Sequence, residues 1–98
     1  MKTFFITKGI PGVYGDRIWA EGNSPDGKNH EEIRSIHVVL KELSMWRGHD
    51  KKGRISEDHP WFFSFEMGKD NMEHALFFLK NAGWELLSNP PEGFHIET

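Results

Sequence analysis

The residues whose types and spacing best suit chemistry lie at 8–17, KGIPGVYGDR. Glycines spaced three apart can let backbone amides converge on an anion, and Lys8 and Arg17 bracket them with positive charge. Lys8, Gly9, Gly12, Gly15 and Arg17 are therefore candidate anion-binding residues, suited to a small ligand such as a nucleotide. The pattern is G-x-x-G-x-x-G. It matches neither the phosphate-binding loop nor the dinucleotide fingerprint, and the segment after it alternates like a strand instead of opening a helix. A plain hairpin turn is the default reading of the same residues.

Six histidines raise the question of a metal. His30 and His37 stand seven residues apart in HEEIRSIH, about two helical turns, too far for one ion. His49 and His59 flank a polar loop with Asp50 and Asp58 beside them, and folding could bring them together. A small histidine-dependent or metal-dependent hydrolase is one reading of that pair. Scattered surface histidines are the better one, so no metal or cofactor is expected. Acid–base chemistry needs a carboxylate pair or a His–carboxylate pair in a cleft. Glu31 and Glu32 are adjacent and diverge on a helix, and none of the serines carries a nucleophile signature. With no cysteine, thiol nucleophiles, thiolate metal sites and disulfides are excluded. The residues favour binding over catalysis.

Arg47, Lys51, Lys52 and Arg54, with Trp46, form a basic cluster that could contact phosphates and stack a base. The cluster is short and includes Asp50, and the chain is acidic overall with a net charge of −3. Nucleic-acid binding is not expected. The aromatic load is high, with four tryptophans, eight phenylalanines and one tyrosine. Most must be core. Tyr14, Trp19 and Trp46 fall at turns or element ends, where rigid aromatics anchor interfaces. Acidic side chains such as Glu85, Glu92 and Glu97 would form a rim. The composite expectation is a non-enzymatic small binding protein acting on a protein partner, an inhibitor of the phage anti-defence or immunity-protein kind. A binder of a small anionic ligand at 8–17 is the alternative and the hydrolase a second alternative.

Positioning these residues falls to a few legible elements. In 59–83, HPWFFSFEMGKDNMEHALFFLKNAG, Trp61, Phe63, Phe65 and Met67 alternate as one face of a strand. Phe62, Ser64 and Glu66 make a mixed second face, expected to meet solvent or an edge. Asp70 and Glu73 read as a capping box, Met72, Ala75, Leu76, Leu79 and Ala82 as a helical stripe, and Gly83 as its stop. Phe77 lies off that stripe and is expected to pack under a loop. Phe4 and Ile6 share one face of a first strand with Phe5 on the other, and 17–21 pairs back on it. Asn29 and Glu32 form a second capping box before the stripe Ile33, Ile36, Leu40 and Leu43, with Gly48 the expected stop. Short strands are expected at 54–56, 84–87 and 94–96. The fragment LKNAGWELLS at 79–88 resembles the helix–Gly–Trp–Glu–Leu junction of some small bacterial domains, and no function follows from it.

The predicted fold is a single α+β domain over 1–98, with helices near 30–47 and 70–82 on one face of a mainly antiparallel sheet, in the order ββα-β(β)-αββ. Charge is uneven: 33–54 is basic, with six cations against Glu42 and Asp50, and 55–98 is acidic, with eight carboxylates against Lys69 and Lys80. No signal peptide or membrane span is visible, and the chain reads as cytoplasmic with no membrane partner.

Overall fold

A computed structural model of the chain describes residues 2–22, 30–45 and 51–97. The elements are β1 (Thr3–Thr7), β2 (Asp16–Glu21), α1 (His30–Leu43), β3 (Lys52–Arg54), β4 (Phe62–Met67), α2 (Lys69–Asn81), β5 (Glu85–Leu86) and β6 (His95–Glu97). The fold is α+β, in the expected order. Six strands form one sheet in the order β5-β1-β2-β4-β3-β6. The β1–β5 pair is parallel and the other pairs are antiparallel. The β2–β4 pair carries the longest ladder, from Asp16 opposite Met67 to Glu21 opposite Phe62. β4 is thus central, and β2 shares the centre with it.

Strand alternation sends side chains to two faces, and both are covered. Phe4, Ile18, Ala20, Phe65 and Met67 pack with Ile33, Ile36 and Leu40 of α1 and Met72, Ala75 and Leu79 of α2. Phe65 is 7% exposed, as its register requires. The second face does not meet solvent as expected: Phe62, Ser64 and Glu66 are all buried. The returning C-terminal segment covers Phe62, while Ser64 bonds Arg17 and Lys51 and Glu66 lies against Arg17. β6 pairs with β3, and Phe94, Leu87 and Ile55 close over a second cluster of Phe5, Trp19 and Phe62. Phe94 stands edge-on to Phe5 at 5.0 Å and to Trp19 at 5.1 Å. Gly53 makes room for that ring, because a Cβ there would lie 2.4 Å from Phe94 Cζ.

The helix termini depart from the sequence reading in instructive ways. Gly68 alone joins β4 to α2 and is itself the N-cap, with no side-chain cap. The Asp70–Glu73 capping box therefore does not form. Asp70 instead sits inside the first turn, where its charge faces the free N–H end of the helix. The C-terminus follows expectation. Gly83 has φ +87°, its N–H donates to the Lys80 carbonyl, and the Trp84 N–H donates to the Leu79 carbonyl. α1 stops at Leu43, four residues short of the expected 47, because the Met45 N–H is taken by the Glu66 carbonyl of β4. Asn29 and Gly48, named as its cap and stop, lie outside the described residues. Phe77 does not pack under a loop. It is 73% exposed, two residues and so about 200° around the helix from the buried Ala75 and Leu79. The short strand expected at 54–56 forms at 52–54 instead. Among the described residues no helix is long and apolar enough to cross a membrane.

Candidate functional site

Residues 9–15 fold back on themselves at the end of the sheet. The Val13 and Tyr14 N–H groups both donate to the Ile10 carbonyl, at 2.9 Å. Pro11 and Gly12 occupy the corner, and Gly12 takes φ +78°, which a turn with proline second and glycine third requires. The two arms close because neither Gly9 nor Gly15 has a side chain. A Cβ on Gly9 would lie 2.3 Å from the Gly15 carbonyl oxygen, and one on Gly15 would lie 2.5 Å from that of Met67. Asp16 locks the neck by accepting from the Gly9 N–H at 2.9 Å and pairing with Lys8 at 3.2 Å. The Gly9 amide, and then Lys8, hold its carboxyl below the usual range.

This turn and the C-terminal segment stand on either side of the second sheet face and enclose a cleft of about 540 Å³. Among the described residues its cations are Lys8, Arg17 and Lys51. Its aromatic walls are Tyr14, Trp19 and Phe94, and Ile10, Pro90 and Ile96 add aliphatic surface. Arg17 is fixed from below. Its Nη1 donates to Ser64 Oγ at 2.9 Å, and its Nη2 lies 3.8 Å from Glu66 Oε1. Buried Ser64 is fully used, since its hydroxyl also donates to the Lys51 carbonyl at 3.0 Å and accepts from the Lys51 N–H at 3.2 Å. Trp19 Nε1 donates to Thr7 Oγ1 at 2.8 Å, and the indole, almost wholly buried, backs the cleft with its one donor used.

The anion-binding residues named from the sequence are thus largely brought together. Lys8, Gly9, Gly15 and Arg17 line the cleft, while Gly12 stands at the tip outside it. The backbone cradle does not form, because Gly9, Val13 and Tyr14 already spend their N–H groups inside the turn. Lys51, Phe94, Pro90 and Ile96 were not foreseen. Lys51 stood in the basic cluster, and nothing in the local pattern tied 90–96 to residue 17.

The partner-binding set is not gathered. Tyr14 is 53% exposed at the cleft rim, but Trp19 is 1% exposed, stacked on Phe5 at 6.0 Å, and has no surface to offer a protein. Its short strand context hid that the second face is a core. Trp46 lies outside the described residues. Glu85, Glu92 and Glu97 are exposed, yet Glu85 in β5 and Glu97 in β6 lie on opposite edges of the sheet, so they form no common rim. Glu97 pairs with His95 at 3.1 Å.

The basic cluster is also divided. Arg54 stacks over Trp61 at 3.6 Å, and Lys52 lies 5.9 Å from the same ring, while Lys51 faces the cleft. Trp46 and Arg47 lie outside the described residues, as does His49 of the proposed histidine pair. His59 Nδ1 lies 2.6 Å from Ser56 Oγ. Among the described residues no three potential metal ligands cluster. A smaller hollow of about 230 Å³ on the helix face is lined by His37, Arg34, Val38, Lys41, Phe63 and Phe65. His37 Nε2–H donates to the Glu21 carbonyl at 2.9 Å, and burial pushes its pKa below the ordinary 6.5.

Compared with models of known families, with curated proteins and with solved structures, the chain matches none.

Proposed function

We propose that this domain is a non-catalytic binding module whose site is the cleft between the 9–15 turn and the C-terminal segment, and that its ligand is a small anion with a flat apolar body. The observation that carries this reading is the convergence of Lys8, Arg17 and Lys51 with Tyr14, Trp19 and Phe94 around about 540 Å³. Ligand sites are concave, mostly apolar and equipped with a few convergent polar groups. Catalysis finds less support. The buried Ser64 hydroxyl that holds Arg17 is bonded to three groups, and among the described residues no histidine lines the cleft.

A drug-sized ligand of about 20 heavy atoms gains roughly 0.3 kcal/mol per atom, which corresponds to a Kd in the tens of micromolar. The test is an NMR titration of the full chain with adenosine monophosphate and with aromatic carboxylates up to millimolar concentration. Saturable amide shifts at 7–17, 51 and 90–96 are expected. No shift with any anion, or shifts confined elsewhere, would overturn the proposal.

A protein partner is the second reading, and with it any inhibitor role. It is favoured by one observation: Ile10, Val13 and Tyr14 are each at least half exposed at the turn. It expects Tyr14→Ser to abolish capture of a specific host protein without changing the melting temperature. Capture that survives this substitution would remove the turn from consideration.

A further inference from the structure

We infer that β6 is a dimerisation edge, on which a second copy of this chain pairs its own β6 antiparallel about Ile96 and continues the sheet. β6 ends the strand order, and among the described residues only β3 pairs with it. An outer strand keeps a row of unpaired N–H and C=O groups that can template a further strand. All three residues of β6 are exposed. The pairing needs no ligand and goes beyond the binding-module reading.

The register selects the occupant. Two like strands related by a two-fold axis set Ile96 opposite Ile96 of the other copy, and His95 of each copy opposite Glu97 of the other. Each copy thus meets an opposite charge twice. Both ring nitrogens of His95 already face oxygens, the Gly93 carbonyl at 3.2 Å and Glu97 Oε1 at 3.1 Å, which favours the doubly protonated ring and raises its pKa above the ordinary 6.5. In the pair, His95 and Glu97 alternate in sign along each strand and across the seam, on the face where Arg54 and Lys52 of β3 stand opposite them. Ile96, 47% exposed, lies on the other face, where the two-fold brings the two isoleucines to about 4.5–5.5 Å between Cβ atoms.

An edge protected from self-association carries charge of one sign or a proline, and β6 has one charge of each sign and no proline. The opposite edge offers no such match. β5 is only Glu85–Leu86, and its self-pairing sets a carboxylate against an aliphatic side chain. A two-fold axis normal to the sheet keeps each face on its own side, so the two clefts, each lined by Ile96, adjoin along the seam.

The test is sedimentation equilibrium of the full chain at mildly acidic pH and low salt, up to millimolar concentration, with Glu97→Lys and His95→Glu beside the parent. The parent should dimerise reversibly, and more weakly as salt rises. Each substitution turns both cross-strand pairs into like-charge pairs, so each variant alone should dimerise about 10-fold or more weakly than the parent. An equimolar mixture of the two variants should recover the dimer, because each then meets opposite charge on the other. A folding defect cannot produce that recovery. A parent that stays monomeric at millimolar concentration, a dimer that neither substitution weakens, or a mixture no more associated than its separate variants overturns the inference.

Discussion

Replacing Trp19 with alanine separates a core tryptophan from an interface anchor. The side chain is 1% exposed, stacks on Phe5 at 6.0 Å with an interplanar angle of 11°, receives the Phe94 edge at 5.1 Å and donates to Thr7 Oγ1. Truncating such a residue removes its transfer free energy and leaves a cavity between two sheet-face neighbours that β-strand pairing prevents from collapsing. The cost should be about 4 kcal/mol, within the usual ~3–5 for buried tryptophan. That is a large part of the roughly 5–15 kcal/mol available to a domain of this size. At about 4–8 °C per kcal/mol, the melting temperature should drop by roughly 15–30 °C. Tyr14→Ala supplies the contrast. Its ring is 53% exposed, and the change should stay within about 0.5 kcal/mol. Urea unfolding followed by far-UV circular dichroism measures both without depending on tryptophan emission. A Trp19→Ala unfolding free energy within about 1 kcal/mol of the parent would refute the second core, and with it the backing of the cleft.

Two further perturbations probe the same architecture. Because burial holds the His37 pKa below 6.5, the unfolded chain binds more protons than the folded one as pH falls. The contribution is complete above about 6.5 and is lost as pH drops toward the depressed folded value, at no more than about 1.4 kcal/mol per pH unit. Stability measured from pH 7 to 5 should fall less steeply in His37→Gln. His95, raised by the Gly93 carbonyl and by Glu97, acts in the opposite sense, with its contribution full below 6.5 and lost as pH rises, so a slope unchanged in His37→Gln would discard the assignment. Gly53→Ala should cost about 1–3 kcal/mol, because the new Cβ would displace the Phe94 ring from 2.4 Å, and Phe94→Leu in the same chain should recover part of it. A Gly53→Ala protein with an unchanged urea midpoint would show that the C-terminal segment does not rest on the sheet as described.

Local pattern alone determined the elements. The alternation of Phe4, Phe5 and Ile6, the run from Phe62 to Met67 and the stripes Ile33–Ile36–Leu40 and Met72–Ala75–Leu79 each carry a period that one secondary structure satisfies, and Gly83 marks a stop that only a positive φ supplies. The turn at 9–15 was equally legible, and four of the five residues named for an anion at 8–17, Lys8, Gly9, Gly15 and Arg17, line one cleft. What the sequence could not convey is what lies opposite a given face. Phe62, Ser64 and Glu66 read as a solvent face because their mixed polarity is local, while their partners are remote: Phe94, about 30 residues on, reaches Phe62 through β3 and β6, short strands with weak individual patterns, and Arg17 reaches Ser64 and Glu66 from β2. The same distance hid the cleft. Lys51, Arg17 and Phe94 come from three separate parts of the chain and meet only because β2 lies beside β4, Ser64 of β4 bonds both Arg17 and Lys51, and Gly53 lets Phe94 settle against the sheet. Periodicity is a property of neighbours in sequence; a binding site depends on which strands pair, and that is decided by the burial of the whole sheet.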